Sequence, residues 1–175
     1  MQTSRENDLS RIILHAHAMV KVEHRRPYDF DEKRGLYLFK KVDEDEEVHN
    51  IVTDAGLVLI HTYAYGTSSR TNGLNYIALT NDSGTPAHGD TSLTGELNNT
   101  YGLGRVQGSV TLPTGTGTQT TIANTFTYTG TSQAVQKSAL FNASSSGVMA
   151  HEVAWTQRTL LNLDTLALTY TITIS

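Results

Sequence analysis

The sequence predicts a mainly β protein built as an antiparallel β-sandwich, and three observations support that fold class. Thr, Gly, Ser and Asn dominate after residue 50, a composition that is poor for helices and suited to exposed strands and tight turns. Apolar and polar side chains alternate along several segments. Turn residues separate these segments at the spacing typical of a sandwich, of either jelly-roll or immunoglobulin-like topology.

The C-terminal segment is the clearest strand. Leu166, Leu168, Tyr170, Ile172 and Ile174 alternate with residues that are mostly threonine. Because successive side chains of a strand point to opposite faces, this pattern places one apolar face against a core and one hydroxyl-bearing face outward.

Shorter patterns predict further strands. Residues 76–79 form a nearly all-apolar run, so both faces of that strand should be covered. Ile122 and Phe126 share one side of another strand. The runs 138–141 and 148–155 flank a connection rich in Ser and Gly, which predicts a hairpin.

One short helix is predicted near residues 53–65. Thr53 is a good N-cap residue, and Leu57 and Ile60 recur at helical spacing after it. Gly66 is expected to end the helix, before a polar loop.

The first 50 residues differ in composition from the rest. They hold 9 of the 13 Lys and Arg residues and 11 of the 17 Asp and Glu residues. We therefore expect two units: a charged N-terminal arm over 1–50 that contains a β-hairpin, and a sandwich domain over 51–175. The hairpin strands are predicted at about 13–24, where a helix over 9–16 competes, and at 35–42, with the loop between them containing Pro27.

An acidic run, DEDEE, occupies residues 43–47 and closes the arm. Runs of like charge are usually solvated, so we interpret it as an exposed turn between strands; a patch for a cation or a partner is the alternative.

Composition also argues against several functional classes. The chain has no cysteine, which excludes disulfides, thiolate metal sites and cysteine nucleophiles. A formal net charge of -4 argues against a nucleic-acid partner. No apolar run is long enough to predict a transmembrane helix, and no signal peptide is recognisable, so no membrane partner is expected.

Four segments resemble a recurrent type of small structural protein of tailed bacteriophages. They are HNIVTDAGLVLI (49–60), NYIALTNDSGTPAHGDTSLTGEL (75–97), SALFNASSSGVMAHEV (138–153) and DTLALTYTITIS (164–175). The resemblance covers about residues 48–175. It implies a β-sandwich present in multiple copies in the virion, without a cofactor and without catalytic residues, either as a head decoration or cement protein or as a tail-associated protein.

From this resemblance we expect a capsid decoration or cement protein that forms a homo-oligomer, with a trimer favoured. Its arm would dock on the major capsid protein, on another virion protein or on a neighbouring copy, gaining order as it docks. Apolar residues of the arm are the expected anchors: Ile12, Ile13, Leu14, Leu36, Tyr37 and Phe39.

The alternative is a tail-fibre, baseplate or receptor-binding module that contacts host glycans. Tyr and Trp side chains stack well on sugars, and Tyr63, Tyr65, Tyr101 and Trp155 are the candidates. The same residue types also fill sandwich cores and subunit contacts.

An enzyme is not expected. The tetrad DSGT at residues 82–85 is similar to the signature of aspartic proteases, in which two carboxylates share a proton, but a turn needs the same residue types. His15 and His17 would lie on one face of a strand, where symmetry-related copies could bind a metal; exposed or interface histidines are the simpler interpretation.

Overall fold

A computed structural model describes residues 16–65, 73–112, 114 and 118–174, and gives the backbone alone for Ala16, His17, Ala64, Tyr65 and Ile174. The described residues contain one α-helix, α1 (Asp54–Tyr65), a 3-10 turn (Asn99–Tyr101) and eleven strands. The strands are β1 (Ala16–Asp31), β2 (Leu36–Lys41), β3 (Glu46–His49), β4 (Ile51–Val52), β5 (Tyr76–Thr80), β6 (Val106–Gln107), β7 (Ser109–Thr111), β8 (Gln119–Thr127), β9 (Ser132–Phe141), β10 (Met149–Leu161) and β11 (Thr165–Ile174).

These strands form two antiparallel sheets that pack against each other, which confirms the predicted β-sandwich. The six-stranded sheet has the order β2-β1-β11-β8-β7, with β3 also paired to β1. The five-stranded sheet has the order β4-β10-β9-β5-β6. The chain passes between the sheets at Asn50, where β3 in the first sheet is followed directly by β4 in the second.

The core between the sheets is formed by the alternating positions that the sequence predicts. Leu166, Leu168 and Tyr170 of β11 are fully buried, while Thr165 and Thr169 face outward and are partly exposed. The Tyr170 hydroxyl hydrogen-bonds the Ser138 hydroxyl of β9 across the core, and burial raises the pKa of Tyr170.

The first half of β1 is an inner strand of the sandwich. Residues 16–25 pair with β11 over their whole length, from Ala16 opposite Ile174 to Arg25 opposite Thr165. Val20 and Val22 are fully buried in the same core cluster as the side chains of β11. Residues 16–25 are thus part of the sandwich and do not form the separate arm that the sequence predicts. Their alternating apolar side chains are buried because the strand pairs within the sheet.

The second half of β1 extends beyond β11 and forms a hairpin with β2. The predicted strand at 35–42 is confirmed as β2, but the predicted loop around Pro27 is wrong, since β1 continues through it to Asp31. Pro27 lies opposite Phe39, where β1 has already passed its last partner in β11. A proline is tolerated there because β1 is no longer flanked by β11, so the missing N–H removes no hydrogen bond to that strand. The register shifts between Pro27 and Asp29, so the strand carries a β-bulge.

Helix α1 lies where the sequence predicts a helix. Thr53 is its N-cap: the Oγ1 atom accepts a hydrogen bond from the backbone N–H of Gly56 at 3.0 Å and donates one to the carbonyl of Met149 at 2.5 Å. Gly56 brings the helix very close to β10, because a Cβ atom there would lie 2.4 Å from the carbonyl oxygen of Ala150. The predicted stop at Gly66 lies outside the described residues.

Strand β5 is covered on both faces, as predicted. Ile77 and Leu79 face the main core, while Ala78 belongs to a second, smaller cluster on the outer face of the five-stranded sheet. The long loop after β5 covers this outer face, and its Leu93 is buried in the smaller cluster. The loop therefore encloses side chains that an isolated sheet would expose to solvent.

Candidate interaction surface

The β1–β2 hairpin displays aromatic side chains that are open to solvent. Phe30 is 47% exposed, Tyr37 47% and Phe39 44%. Phe30 and Tyr37 are cross-strand partners whose rings meet edge to face at 5.1 Å, and Phe39 lies two residues from Tyr37 on the same side of β2. Three aromatic side chains thus form one apolar strip, which we call the aromatic strip.

The rest of the hairpin is also unusually apolar for an exposed element. Leu36 is 45% exposed and Tyr28, at the bulge, is 58% exposed. Beyond Arg25, no third strand among the described residues pairs with β1 or β2. A two-stranded ribbon gains little stability alone, and an exposed cluster of large apolar side chains typically marks an interaction site. The hairpin is therefore the strongest candidate for a docking element among the described residues.

Buried ion pairs fix the base of this hairpin. The side chain of Asp164, in the turn between β10 and β11, has no exposed surface. Arg26 donates hydrogen bonds to it through Nε at 2.8 Å and Nη2 at 2.7 Å, and His24 Nε2 lies 2.9 Å from Oδ2. Burial alone would raise the pKa of Asp164, but the hydrogen bonds from Arg26, the Leu161 N–H and His24 outweigh it and lower the pKa below its usual value.

The acidic run 43–47 is part of the same network. Asp43 Oδ2 lies 2.6 Å from His24 Nδ1, and Glu46 Oε2 accepts a hydrogen bond of 3.0 Å from the buried Arg158 of β10. Asp45 forms ion pairs with two basic side chains of β1. The predicted exposed turn is confirmed between β2 and β3, where the Glu44 side chain is 94% exposed. Asp43, Asp45 and Glu46 are in addition paired with basic side chains that are distant in sequence and adjacent only in the sheet.

A second buried charged cluster lies on the outer face of the five-stranded sheet. The Lys137 side-chain nitrogen lies 2.6 Å from Asp82 Oδ2 and 3.2 Å from Glu152 Oε1. Lys137 is 3% exposed and Glu152 2%. The hydrogen bond from Lys137 lowers the pKa of Asp82, whereas burial, and then a hydrogen bond with Asp90, raise the pKa of Glu152.

In this cluster the aspartate of the DSGT tetrad pairs with a lysine, which is not the arrangement of the aspartic-protease signature that the tetrad resembles. The carboxylate of Asp82 accepts hydrogen bonds from Lys137 and from the backbone N–H of Gly84. An aspartic-protease centre would instead pair that carboxylate with a second aspartate. The sequence pattern does not single out Lys137 or Glu152. The only indication in the sequence is strand parity, which places both residues on the same face of the sheet as Ala139. That placement becomes informative only when it is known that a loop covers this face.

The four aromatic candidates for glycan binding lie on three different elements of the fold. Trp155 is 6% exposed and belongs to the main core. Tyr63 lies on α1, where Tyr65 is described by its backbone alone. Tyr101 is 52% exposed and lines a shallow depression together with Asn162. Of the four candidates, Tyr101 alone has a described side chain that is more than half exposed.

The predicted N-terminal anchors and the predicted histidine pair lie largely outside the described side chains. Ile12, Ile13, Leu14 and His15 lie outside the described residues, and the side chain of His17 is not described. Within the described part of the chain, no group of three or more His, Asp or Glu side chains is arranged to hold a metal ion. No described helix has the length and apolar character needed to cross a membrane.

Comparison with known proteins adds no relative: no family model matches the chain, and no curated protein matches it in sequence.

Proposed function

We propose that this chain is a non-enzymatic structural protein of a tailed-bacteriophage virion, which decorates or cements the capsid surface. The proposal rests on the resemblance of residues 48–175 to such proteins and on the β-sandwich fold. In this role the protein works by assembly: copies associate as a homo-oligomer, with a trimer favoured, and attach to the major capsid protein or another virion protein.

The aromatic strip is the observation that carries this proposal. A protein that acts by assembly needs apolar surface that is exposed in the free chain and buried in the particle. Phe30, Tyr37 and Phe39 provide such a surface on a projecting hairpin, and the Arg26–Asp164 contact holds the base of that hairpin in place. Preorganisation lowers the entropy that docking would otherwise cost. Binding of many copies then stabilises the particle by mass action.

A particle-incorporation experiment tests the proposal. We expect the double variant Leu36→Asp/Phe39→Asp to be absent from particles, because two carboxylates would be desolvated in the docked interface. The isolated chain should remain folded, since both side chains are already solvent-exposed. Occupancy is measured from the amount of the chain in purified particles, and folding from circular dichroism and thermal unfolding.

The matched control is Val58→Asp/Leu112→Asp, which places the same charges on two side chains that are 66% and 68% exposed but lie outside the hairpin. This variant should be incorporated at the wild-type level. Full occupancy by the hairpin variant would refute docking through the hairpin, and equal loss by both variants would show a general effect of added charge.

A tail-fibre, baseplate or receptor-binding module is the second candidate, and Tyr101 favours it. Its exposed ring lies beside Asn162 and a threonine-rich loop, which is a setting suited to stacking and hydrogen bonding with a sugar. Copy number separates the two locations: hundreds of copies per particle indicate the head, and a few copies indicate the tail. Loss of host adsorption in a Tyr101→Ala variant that still enters the particle would favour the tail module.

A further inference from the structure

The side-chain amine of Lys137 is surrounded by carboxyl groups from two other parts of the chain, strand β10 and the loop after β5. Strand parity places Lys137 on the outer face of β9, and Glu152 of β10 lies on that same face, opposite Ala139. The loop after β5 brings Asp82 and Asp90 over them. Lys137 and Glu152 are almost fully buried, so the amine is held in place and largely shielded from water.

Glycine at position 84 lets the loop backbone close over the Lys137–Asp82 pair. Its N–H donates a hydrogen bond of 3.2 Å to Asp82 Oδ2, the same oxygen that accepts from Lys137. A Cβ atom at this position would lie 2.9 Å from Asp82 Oδ2 and 3.6 Å from the Lys137 nitrogen. A hydrogen bond donated to a carboxyl oxygen draws electron density from the carboxyl carbon and holds the group beside the amine, and both effects favour attack on that carbon.

Glu152 lies within reach of the amine for proton transfer. Its Oε1 is 3.2 Å from the Lys137 nitrogen, and the side chain is buried. A buried carboxyl group within hydrogen-bond reach of a nitrogen and close to its reaction partner meets the geometric requirement for a general acid–base group.

We propose that Lys137 and Asp82 condense to form an intramolecular isopeptide bond, with Glu152 carrying the proton. The reaction needs a nucleophilic nitrogen, a carboxyl carbon and a proton carrier, and in the folded chain the Lys137 nitrogen already contacts both carboxyl groups. The site is a covalent modification within the sandwich and does not depend on the proposed role in a virion.

The proton balance of the reaction closes within these three groups. The reaction starts from the minor, neutral form of the pair, in which one proton has passed from the Lys137 ammonium to the Asp82 carboxylate across the 2.6 Å contact. The Nζ–Cγ bond forms as the amine attacks Cγ of Asp82, and Glu152 accepts a proton from the nitrogen. Glu152 then returns that proton to the departing oxygen as the Cγ–O bond breaks. The products are an amide, one water molecule and the original Glu152 carboxylate, with no external reagent.

Holding the reacting groups in contact supplies the driving force that the same reaction lacks in solution. Effective molarities for well-oriented intramolecular reactions are very high, and release of the water molecule to bulk solvent favours the amide. Burial, followed by the hydrogen bond with Asp90, raises the pKa of Glu152, which suits a group that must accept a proton and return it. The bond would join β9 to the loop after β5, closing a link between residues 55 positions apart.

Intact-mass spectrometry of the purified full-length chain tests this directly. After incubation at neutral pH, the wild-type chain is expected to be lighter than its sequence mass by about 18 Da, the mass of one water molecule. Tandem mass spectrometry of a protease digest should find the segment around Asp82 attached to the segment around Lys137 in one branched peptide. A wild-type chain at its full sequence mass overturns the proposal.

Three variants distinguish this bond from other losses of water. Lys137→Arg and Glu152→Gln should each have the full mass of their own sequence, the first because the nucleophile is gone and the second because the proton carrier is gone. Asp82→Asn should condense with release of ammonia and lose about 17 Da instead. A Lys137→Arg chain that still loses water would show cyclisation of Asp82 onto its own backbone and would also overturn the proposal. A Glu152→Gln chain that reacts fully would refute the role of Glu152. Because the wild-type mass is decisive alone, the outcome does not depend on how well the variants fold.

Discussion

The guanidinium of Arg26 and the carboxylate of Asp164 join the base of the β1–β2 hairpin to the turn between β10 and β11. The two groups are linked by hydrogen bonds of 2.8 and 2.7 Å, and the same carboxylate contacts His24 and the backbone N–H of Leu161. Because Asp164 is fully buried, its charge is compensated entirely by these donors. The hairpin therefore extends from a fixed base.

Replacing Asp164 with Asn should destabilise the whole sandwich. The substitution preserves the shape of the side chain but removes the charge that Arg26 and His24 face, and breaking a buried pair on one side commonly costs about 3 kcal/mol. Arg26 remains partly exposed, so water recovers part of this loss. We expect a decrease of about 2–4 kcal/mol in the free energy of unfolding, measured by urea denaturation.

The control for this variant is Glu32→Gln, which removes one negative charge from the exposed hairpin turn. It should change the free energy of unfolding by less than about 0.5 kcal/mol. If the two variants were equally stable, the buried contact would have no special role in anchoring the hairpin.

The sequence predicted the strands because their patterns are local, and failed where partners are distant. Alternation in residues 166–174 and the N-cap at Thr53 each depend on neighbouring residues, and both predictions are confirmed. The pairing of Asp43 with His24, and of Lys137 with Glu152, depends on which strands become neighbours. One sequence does not contain that information in readable form, so neither the partners of the acidic run nor the burial of Lys137 can be predicted from it.

The protein should lose stability as the pH falls from about 6.5 to about 4, in part because of His151. Burial lowers the pKa of His151 from 6.5 to about 4, and Asn50 lies 2.8 Å from its Nδ1 atom. Between these pH values the unfolded chain binds a proton that the folded chain excludes, so acid favours unfolding. The shift corresponds to about 3 kcal/mol, fully lost only below the folded-state pKa.

Urea denaturation near pH 7 and near pH 4, on the wild type and on His151→Gln, measures this contribution. Glutamine does not titrate, so the variant should lose about 3 kcal/mol less than the wild type over that range. An NMR titration of the His151 ring should give a midpoint near 4. Identical pH dependence of the two proteins would show that the ring is accessible to protons in the folded state.

The outer hairpin should be dispensable for folding and required for docking. Replacing residues 28–38 with Asn-Gly would connect Pro27 to its cross-strand partner Phe39 through a two-residue turn, while leaving Arg26 and the β1–β11 pairing intact. Since the removed side chains are largely exposed, we expect a change in unfolding free energy of less than about 1 kcal/mol. Particle incorporation should be abolished. If this variant fails to fold, the hairpin is part of the cooperatively folding core and the prediction is wrong.

Replacing Gly56 with Ala should destabilise the protein, against the usual effect in a helix. At an exposed helical site this change stabilises by up to about 1 kcal/mol, because alanine has the higher helix propensity. In α1, however, the new Cβ would lie 2.4 Å from the carbonyl oxygen and 2.6 Å from the Cα of Ala150, and neither backbone atom can move without displacing β10. Overpacking of this kind costs about 1–3 kcal/mol, so the net free energy of unfolding should fall. Val58→Ala is the control in the same helix: its side chain is 66% exposed, and the change should be neutral or stabilising by about 0.5 kcal/mol in thermal or urea unfolding. If Gly56→Ala were as stable as Val58→Ala, the helix would not be held against β10 at this point, and the close approach would not be what positions α1.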